Sequence, residues 1–168
     1  APEVFPLGET IVTWTATDSS GNSTSATQTI TVVDTTSPVL IAPESLEIEA
    51  QGLTTHIDDF GDIIAEDISG ISSITNDAPE VFPLGETIVT WTATDDYGNS
   101  VSNIQSIMII DTTSPAITAP YDLQIEAEHI EQNIINLKGV RVSDQVEVSS
   151  ITNDAPEVFP LGETIVTW

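Results

Sequence analysis

Residues 78–95 read APEVFPLGETIVTWTATD, and this stretch decides the fold because the chain repeats it. Residues 1–18 carry the same letters, and residues 155–168 repeat them as far as the tryptophan. Each copy begins 77 residues after the previous one. Such a period is too long for a solenoid unit and is typical of a small β-sandwich that buries its own core.

Two further motifs recur with the same spacing. DTTSP stands at 34–38 and again at 111–115, and SSITND begins at Ser72 and again at Ser149. The sequence between these anchors differs from copy to copy. We interpret the pattern as tandem duplication followed by drift.

The strands are predicted from alternating hydrophobicity. Residues 46–50 read LEIEA, with apolar side chains on one face and carboxylates on the other, and residues 123–127 read LQIEA. The stretch 87–94 alternates in the same way and predicts a strand with an apolar face of Val89, Trp91 and Ala93. Trp14 and Trp168 are the repeat equivalents of Trp91, and we expect all three tryptophans to be core anchors.

A hairpin is predicted next. Residues 102–110 should pair with the preceding strand through a turn at 95–99 and place Ile107 and Ile109 inward. A second turn is expected at 83–85, which reads PLG. No stretch has a helical period, so the predicted fold class is all-β, with tandem immunoglobulin-like sandwiches of about 77 residues.

The charge balance excludes several partners. The chain has 27 acidic residues against Lys138 and Arg141, a net charge of −25. Nucleic acids and anionic membranes are excluded as partners because both require clustered basic residues. So much like charge also opposes compaction unless ions screen it or bind to it.

The chain contains no cysteine, so neither a disulfide framework nor a thiolate metal site is possible. Secreted proteins without disulfides are ordinary in bacteria and archaea, and we expect a bacterial or archaeal surface protein. No signal peptide or apolar membrane-length run is present in these residues, although a signal could lie upstream.

The DTTSP motif reads as a linker and sets the domain boundaries. Residues 34–110 are predicted to form a complete domain, 1–33 the C-terminal part of a preceding one, and 111–168 the N-terminal part of a following one. Either the chain is a window from a longer array, or subunits join head to tail by strand addition. The window is favoured because residues 1–14 and 155–168 are identical and would compete for one strand position.

The string FPLGETIVTWTATDxxGN, followed by a strand and DTTSP, resembles the HYR (hyalin repeat) domain, and APxxLxIEA at the start of the unit fits the same family. The resemblance implies an immunoglobulin-like sandwich in extracellular proteins associated with cell adhesion. It also implies long arrays in bacterial and archaeal surface proteins. The family offers no catalytic residues to carry over.

A calcium site is predicted at the domain junction. In a seven-strand sandwich the incoming linker, the second-to-third strand loop and the last hairpin share one end, which brings Asp34, Asp67 and Asp95 together, along with Glu66, Asp96 and Asn99. Carboxylates from separate loops are the hard oxygen ligands that Ca²⁺ prefers. The repeat equivalents of the three aspartates are Asp111, Asp144 and Asp18. The alternative is that these aspartates only form turns.

Other candidate sites are weaker. Asn22-Ser23-Thr24 is a glycosylation sequon on a predicted turn. His56 and His129 occupy non-equivalent repeat positions, which argues against a shared metal or catalytic role.

Three classes of function remain to be compared. We expect a structural or adhesive role in which repeated domains form a rod, stalk or filament on a cell surface, with neighbouring copies joined head to tail. The alternative is a module that binds glycan or protein through its loops, which predicts exposed loop aromatics. An enzyme is not expected, since no nucleophile–base constellation is present.

Overall fold

Short β-branched and hydroxyl side chains dominate the alternating segments, and most of these segments form strands. The computed structural model describes residues 2–168, in which no helix occurs, so the prediction of an all-β fold is confirmed. No helix able to span a membrane occurs in this range either. The strands are β1 (Gly8–Thr17), β2 (Ser23–Val32), β3 (Val39–Ile41), β4 (Leu46–Glu49), β5 (Thr54–Thr55), β6 (Ile64–Glu66), β7 (Ile71–Asn76), β8 (Phe82–Pro83), β9 (Gly85–Asp95), β10 (Ser100–Ile110), β11 (Ala116–Thr118) and β12 (Arg141–Ser143).

The strands divide between two compact units, and β9 and β10 run through both. The first unit holds the chain up to Glu44 together with Gly61–Ala78 and Val89–Gln105. The second holds Ser45–Phe60, Pro79–Ile88 and Ser106–Trp168. Strands β4, β10, β9 and β7 form a four-stranded sheet in that order, and the other strands form two-stranded sheets. The sheets are consistent with an immunoglobulin-like sandwich, while the number of tandem domains and their boundaries stay predictions.

In the first unit, antiparallel pairing joins β1 to β2, β3 to β6, and β7 to β9. The buried apolar side chains include Val12, Leu40, Val89, Trp91 and Ala93. Gln105 is buried among strands of this unit, and its amide is satisfied there. It accepts a hydrogen bond from the Trp91 indole at 3.1 Å and donates to the Glu44 carbonyl at 2.7 Å.

In the second unit, β4 pairs in parallel with the end of β10, with Leu46 opposite Ile107 and Ile48 opposite Ile109. Ile107 and Ile109 are 0% and 2% exposed, so the prediction that they point inward is confirmed. Strand β5 pairs with β8, and β11 with β12, both antiparallel. Phe82 on β8 is 0% exposed and contacts Phe60 with ring centroids 6.0 Å apart.

Two expectations about the repeats were wrong. Residues 123–127 form no strand, although their sequence alternates like that of β4. A β4-like strand is held by pairing with β10, and residues 111–168 contain no counterpart of β10. Trp14 is 60% exposed where Trp91 is 8% exposed, because the β1–β2 sheet has only those two strands.

Residues 34–110 contain eight strands, β3 to β10, where a seven-strand sandwich was expected. The additional strand arises because a bend at Leu84 separates β8 from β9. Gly85 follows the bend with φ +94°, a conformation that favours glycine. In place of the predicted PLG turn the chain has a bend at Leu84, which interrupts what would otherwise be one long strand.

The linker after β10 is held by one carboxylate at the end of β4. Glu49 accepts hydrogen bonds from the Thr112 amide at 2.9 Å, the Thr112 hydroxyl at 2.8 Å and the Thr113 hydroxyl at 2.9 Å. The Thr112 amide, its hydroxyl and the Thr113 hydroxyl together lower the pKa of Glu49. The DTTSP linker is thus hydrogen-bonded to the end of β4 through Glu49.

The repeat provides a matched test of the core. We expect Phe82→Ala to lower the free energy of unfolding by about 3–5 kcal/mol, because it leaves a cavity in a fully buried site. Phe5→Ala removes the same side chain at the equivalent, half-buried position and should cost clearly less. Urea unfolding followed by circular dichroism measures both, and equal losses would contradict the assignment of Phe82 to the core.

The Glu49 contacts predict a pH-dependent stability. The folded-state pKa lies below the ordinary 4.5, so their contribution is present above that value and is lost as pH falls through the folded pKa. Glu49→Gln should therefore lower Tm near neutral pH, and the difference from wild type should vanish in strong acid. Glu47→Gln, an exposed neighbour on β4, is the control and should show no such convergence. A Glu49→Gln deficit that persists unchanged into acid would show that the charge is not involved.

Candidate metal centre

The site is built first on the turn between β9 and β10. The Asp95 amide donates to the Asn99 carbonyl at 3.0 Å, and Gly98 adopts φ +90°, which confirms the predicted hairpin turn. Inside it, Asp95 Oδ1 accepts hydrogen bonds from the Tyr97 and Asn99 amides, both at 2.8 Å. The side-chain amide of Asn99 donates to Asp95 Oδ2 at 2.7 Å. The turn therefore fixes a carboxylate that is only 1% exposed.

Opposing effects set the ionisation of Asp95. Burial acts to raise its pKa, but hydrogen bonds from the Asn99 side chain and from the Asn99 and Tyr97 amides outweigh burial and leave the pKa lowered. Asp95 is therefore a charged carboxylate in a buried position at neutral pH. A buried charge of this kind calls for a positive partner.

The second carboxylate sits in the turn after β6. Asp67 Oδ1 accepts hydrogen bonds from the Ser69 amide and hydroxyl, both at 2.8 Å, and the Gly70 amide donates to the Asp67 carbonyl at 3.3 Å. Gly70 has φ +97°, and a Cβ there would lie 2.9 Å from Asp96 Oδ2. The positive φ favours glycine at this position, and a Cβ there would also displace the end of the exposed Asp96 side chain; the sequence pattern did not predict this requirement.

The third carboxylate belongs to the linker before β3. Asp34 Oδ1 accepts a hydrogen bond from the Thr36 amide at 2.9 Å, and the Asp34 carbonyl accepts one from the Asn99 side chain at 3.3 Å. The Thr36 amide is the largest influence on the pKa of Asp34 and lowers it, while the Asp95 charge acts to raise it. Asp34 Oδ2 is buried and has no hydrogen-bond partner.

These turns bring three carboxylates together. One oxygen each from Asp34, Asp67 and Asp95 lies within 4.8 Å of the others. Two oxygens that bind one Ca²⁺ at 2.3–2.6 Å can be at most about 5 Å apart, so the spacing fits one such ion. An all-oxygen, negatively charged set suits a hard divalent cation better than a soft one. Asp34 Oδ2, which is buried and has no hydrogen-bond partner, has lone pairs free to bind a cation.

Not every residue predicted for this end joins the group. Asn99 contributes by orienting Asp95 and by bonding the Asp34 backbone, whereas Glu66 is an exposed residue on β6 outside the carboxylate group. Ser69 was not predicted; its spacing two residues after an aspartate is the sequence signal of such a turn.

The repeat equivalents keep the local turns without forming a group of three within residues 2–168. Asp18 is exposed and accepts hydrogen bonds from Ser20 and from the Asn22 amide and side chain, of which the Asn22 side chain most strongly lowers its pKa. Asp111 accepts one from the Thr113 amide at 3.2 Å. Asp144 accepts one from the Val146 amide at 2.9 Å, and its Oδ2 is buried without a partner, as in Asp34.

The remaining candidates lie elsewhere. Asn22 is exposed on the β1–β2 turn, with its amide nitrogen 2.9 Å from Asp18 Oδ2, so the sequon stays a prediction. His56 contacts the Glu80 carbonyl at 2.8 Å and Asp58 at 3.0 Å, and these two groups raise its pKa in that order. His56 is not part of the carboxylate group.

Comparison with known proteins gives animal relatives. Hyalin of Lytechinus variegatus is 35% identical over 188 residues, covering 99% of this chain and 34% of that protein. Hyalin of Strongylocentrotus purpuratus is 35% identical over 184 residues, covering 99% of this chain and 15% of that protein. The rat sushi, von Willebrand factor type A, EGF and pentraxin domain-containing protein 1 is 38% identical over 104 residues, covering 59% of this chain and 3% of that protein.

The chain thus spans about a third, or less, of the curated relatives it matches. No solved structure matches it. These relatives come from eukaryotes, so they lend no support to the expectation of a bacterial or archaeal surface protein. Residues 33–106 match the family model for the HYR domain, and the chain is similar to hyalin along nearly its whole length.

Proposed function

We propose that the protein is an extracellular, adhesion-type structural repeat in which Ca²⁺ bound by Asp34, Asp67 and Asp95 stiffens a domain junction. The family and the hyalin relatives support the structural role. Repetition supports it too, because mechanical reach grows with copy number whereas an active site is needed only once. The cell surface is the proposed location.

One observation carries the metal proposal. A buried carboxylate oxygen without a partner, Asp34 Oδ2, belongs to a group of three aspartates with mutual oxygen distances within 4.8 Å. A buried carboxylate oxygen without a partner is costly, and three carboxylates this close to one another repel. A divalent cation removes both costs, since it neutralises the charge and occupies the free lone pairs.

The position of the group gives the ion a mechanical consequence. Asp34 lies two residues after the end of β2, whereas Asp67 and Asp95 lie in turns after β6 and β9. An ion held by all three would fix the linker backbone to two turns of the following repeat. Such a joint resists bending more than a linker held only by hydrogen bonds, and stiff joints make an array into a rod.

The acidity of the chain acts in the same direction. At a net charge of −25, the free energy of folding includes self-repulsion that salt screens only in part. Site-bound calcium would lower that repulsion where it is concentrated. The stiffness of the domain junction would then depend on the calcium concentration around the protein.

A loop-mediated binding module is the second candidate. Tyr121 is 97% exposed and Tyr97, in the β9–β10 turn, is 49% exposed, as a binding loop would require. The equivalent positions in the neighbouring copies hold Glu44 and Ser20, so neither aromatic is a repeated feature. A function shared by all copies is better served by the aspartates, which are repeated.

The calcium proposal predicts opposite effects in two media. For the whole chain, calcium at about 100 times its Kd should add about 2.7 kcal/mol to the free energy of unfolding, a rise in Tm of about 10–20 °C for the domain that binds it. Asp34→Asn should abolish that rise. In EGTA the same change should leave Tm equal or higher, because it removes one of three repelling charges.

Differential scanning calorimetry in EGTA and in millimolar CaCl₂ measures these effects. Asp62→Asn is the matched control, since it removes one exposed aspartate charge outside the group and should keep the full calcium response. A wild-type Tm that calcium does not change, or an Asp34→Asn variant that responds like wild type, would refute the site.

A further inference from the structure

His56, which follows β5, has both nitrogens of its ring against oxygen atoms. Its Nδ1 lies 2.8 Å from the Glu80 carbonyl, and its Nε2 lies 3.0 Å from Asp58 Oδ1. A backbone carbonyl and a carboxylate both accept hydrogen bonds, so each contact needs an N–H on the ring. A neutral imidazole carries one N–H, whereas an imidazolium carries two. Both contacts are therefore hydrogen bonds only when His56 is charged.

These contacts join two segments of the second unit. Strands β5 and β8 pair over only two residues each, so few backbone hydrogen bonds hold this edge. The bond from His56 to the Glu80 carbonyl lies next to the short ladder and adds a cross-strand contact to it. The bond to Asp58 fixes the ring from its own segment. The two contacts together are called the His56 bridge below.

The bridge is open to solvent, but its backbone is anchored in the core. The His56 side chain is 57% exposed, so the ring can exchange protons with water. Thr55 and Ile57, the residues on either side of it, are buried, and so is Phe82, two residues after Glu80. A change in the protonation of His56 therefore acts on the segments that cover Phe82.

The charged groups that act on the ring are acidic. They are Asp58 on the same segment as His56 and Glu80 on the segment before β8. The hydrogen bond to the Glu80 carbonyl raises the pKa of His56 most, and the charge of Asp58 raises it further, while burial acts in the opposite direction. The net effect is a pKa above the ordinary 6.5.

We propose that the His56 bridge is a pH-sensitive clasp, which holds residues 56–58 against residues 79–81 when His56 is protonated and releases them when it is neutral. The neutral ring keeps at most one of the two bonds, because its unprotonated nitrogen then faces an oxygen atom. The stabilisation is fully present below 6.5, the pKa of the unfolded chain, and is lost as pH rises through the higher folded pKa. None of these residues belongs to the carboxylate group, so the clasp acts independently of calcium.

Another copy of the repeat uses a group that does not titrate at a comparable place. Asn133 pairs with Phe159, the repeat equivalent of Phe82, and the Asn133 side chain donates to the Phe159 carbonyl at 3.0 Å. A side-chain amide keeps its donor hydrogens on both sides of neutral pH. The pH dependence is therefore a property of the repeat that contains His56 and not of the repeated motif.

An NMR titration of the 168-residue chain in EGTA tests the charge on the ring. Histidine is the side chain whose ordinary pKa lies in the titrated range, and the chain has two histidines and no cysteine. The ring signals of His56 are assigned by their loss in His56→Gln. The pKa of His56 is expected to be higher in the folded chain than in the same chain unfolded in urea. An equal or lower folded value would overturn the proposal.

Amide hydrogen exchange of residues 54–57 and 80–82 tests the release of the clasp. After correction for the pH dependence of intrinsic exchange, protection in wild type should fall as pH rises. The expected fall is tenfold for each unit by which the folded pKa of His56 exceeds the unfolded one. His56→Gln keeps a donor for the Glu80 carbonyl and does not titrate, so its protection should stay constant.

His129→Gln is the matched control, because it removes the other histidine and should keep the wild-type response. A wild-type protection that does not change with pH contradicts the clasp, and so does a change that His56→Gln retains or His129→Gln abolishes. All of these measurements are made in EGTA, so their outcome is independent of whether the chain binds calcium.

Discussion

The structure depends on the pairing of β10 with its two neighbours. Parallel pairing with β4 and adjacency to β9 bury Ile107 and Ile109 almost completely. Residues 123–127 have the β4 pattern but no such partner among residues 111–168, and they remain irregular. Backbone groups at a sheet edge need a partner, and alternation alone does not provide one.

The same hairpin positions the candidate metal site. The turn after β9 holds Asp95 by its own amides, and Asn99 reaches from that turn to the Asp34 carbonyl. Each aspartate is oriented by hydrogen bonds within its own turn, so the positions of the three carboxylates are set by the fold. The repulsion among them is a cost of the fold that the proposed cation would offset.

The near-identical repeats separate local from tertiary effects. Trp14 and Trp91 make the same indole hydrogen bond in the same strand sequence, yet one is 60% exposed and the other 8%. Local sequence is the same in both, so packing is the difference. By the same comparison, Asp18 repeats the turn of Asp95 but stands apart from other carboxylates.

The sequence by itself determined the period, the all-β class, the alternation that places Ile107 and Ile109 inward, and the three aspartates of the candidate site. These follow from local chemistry, because side-chain alternation and turn propensity act over a few residues. The repeat is visible directly in the sequence. Only the tertiary structure decided which copies of each segment become strands, which tryptophan is buried, and that Ser69, Gly70 and the orphaned Asp34 oxygen shape the site. Those properties depend on neighbours distant in the chain, and no short stretch of sequence carries information about which neighbours are present.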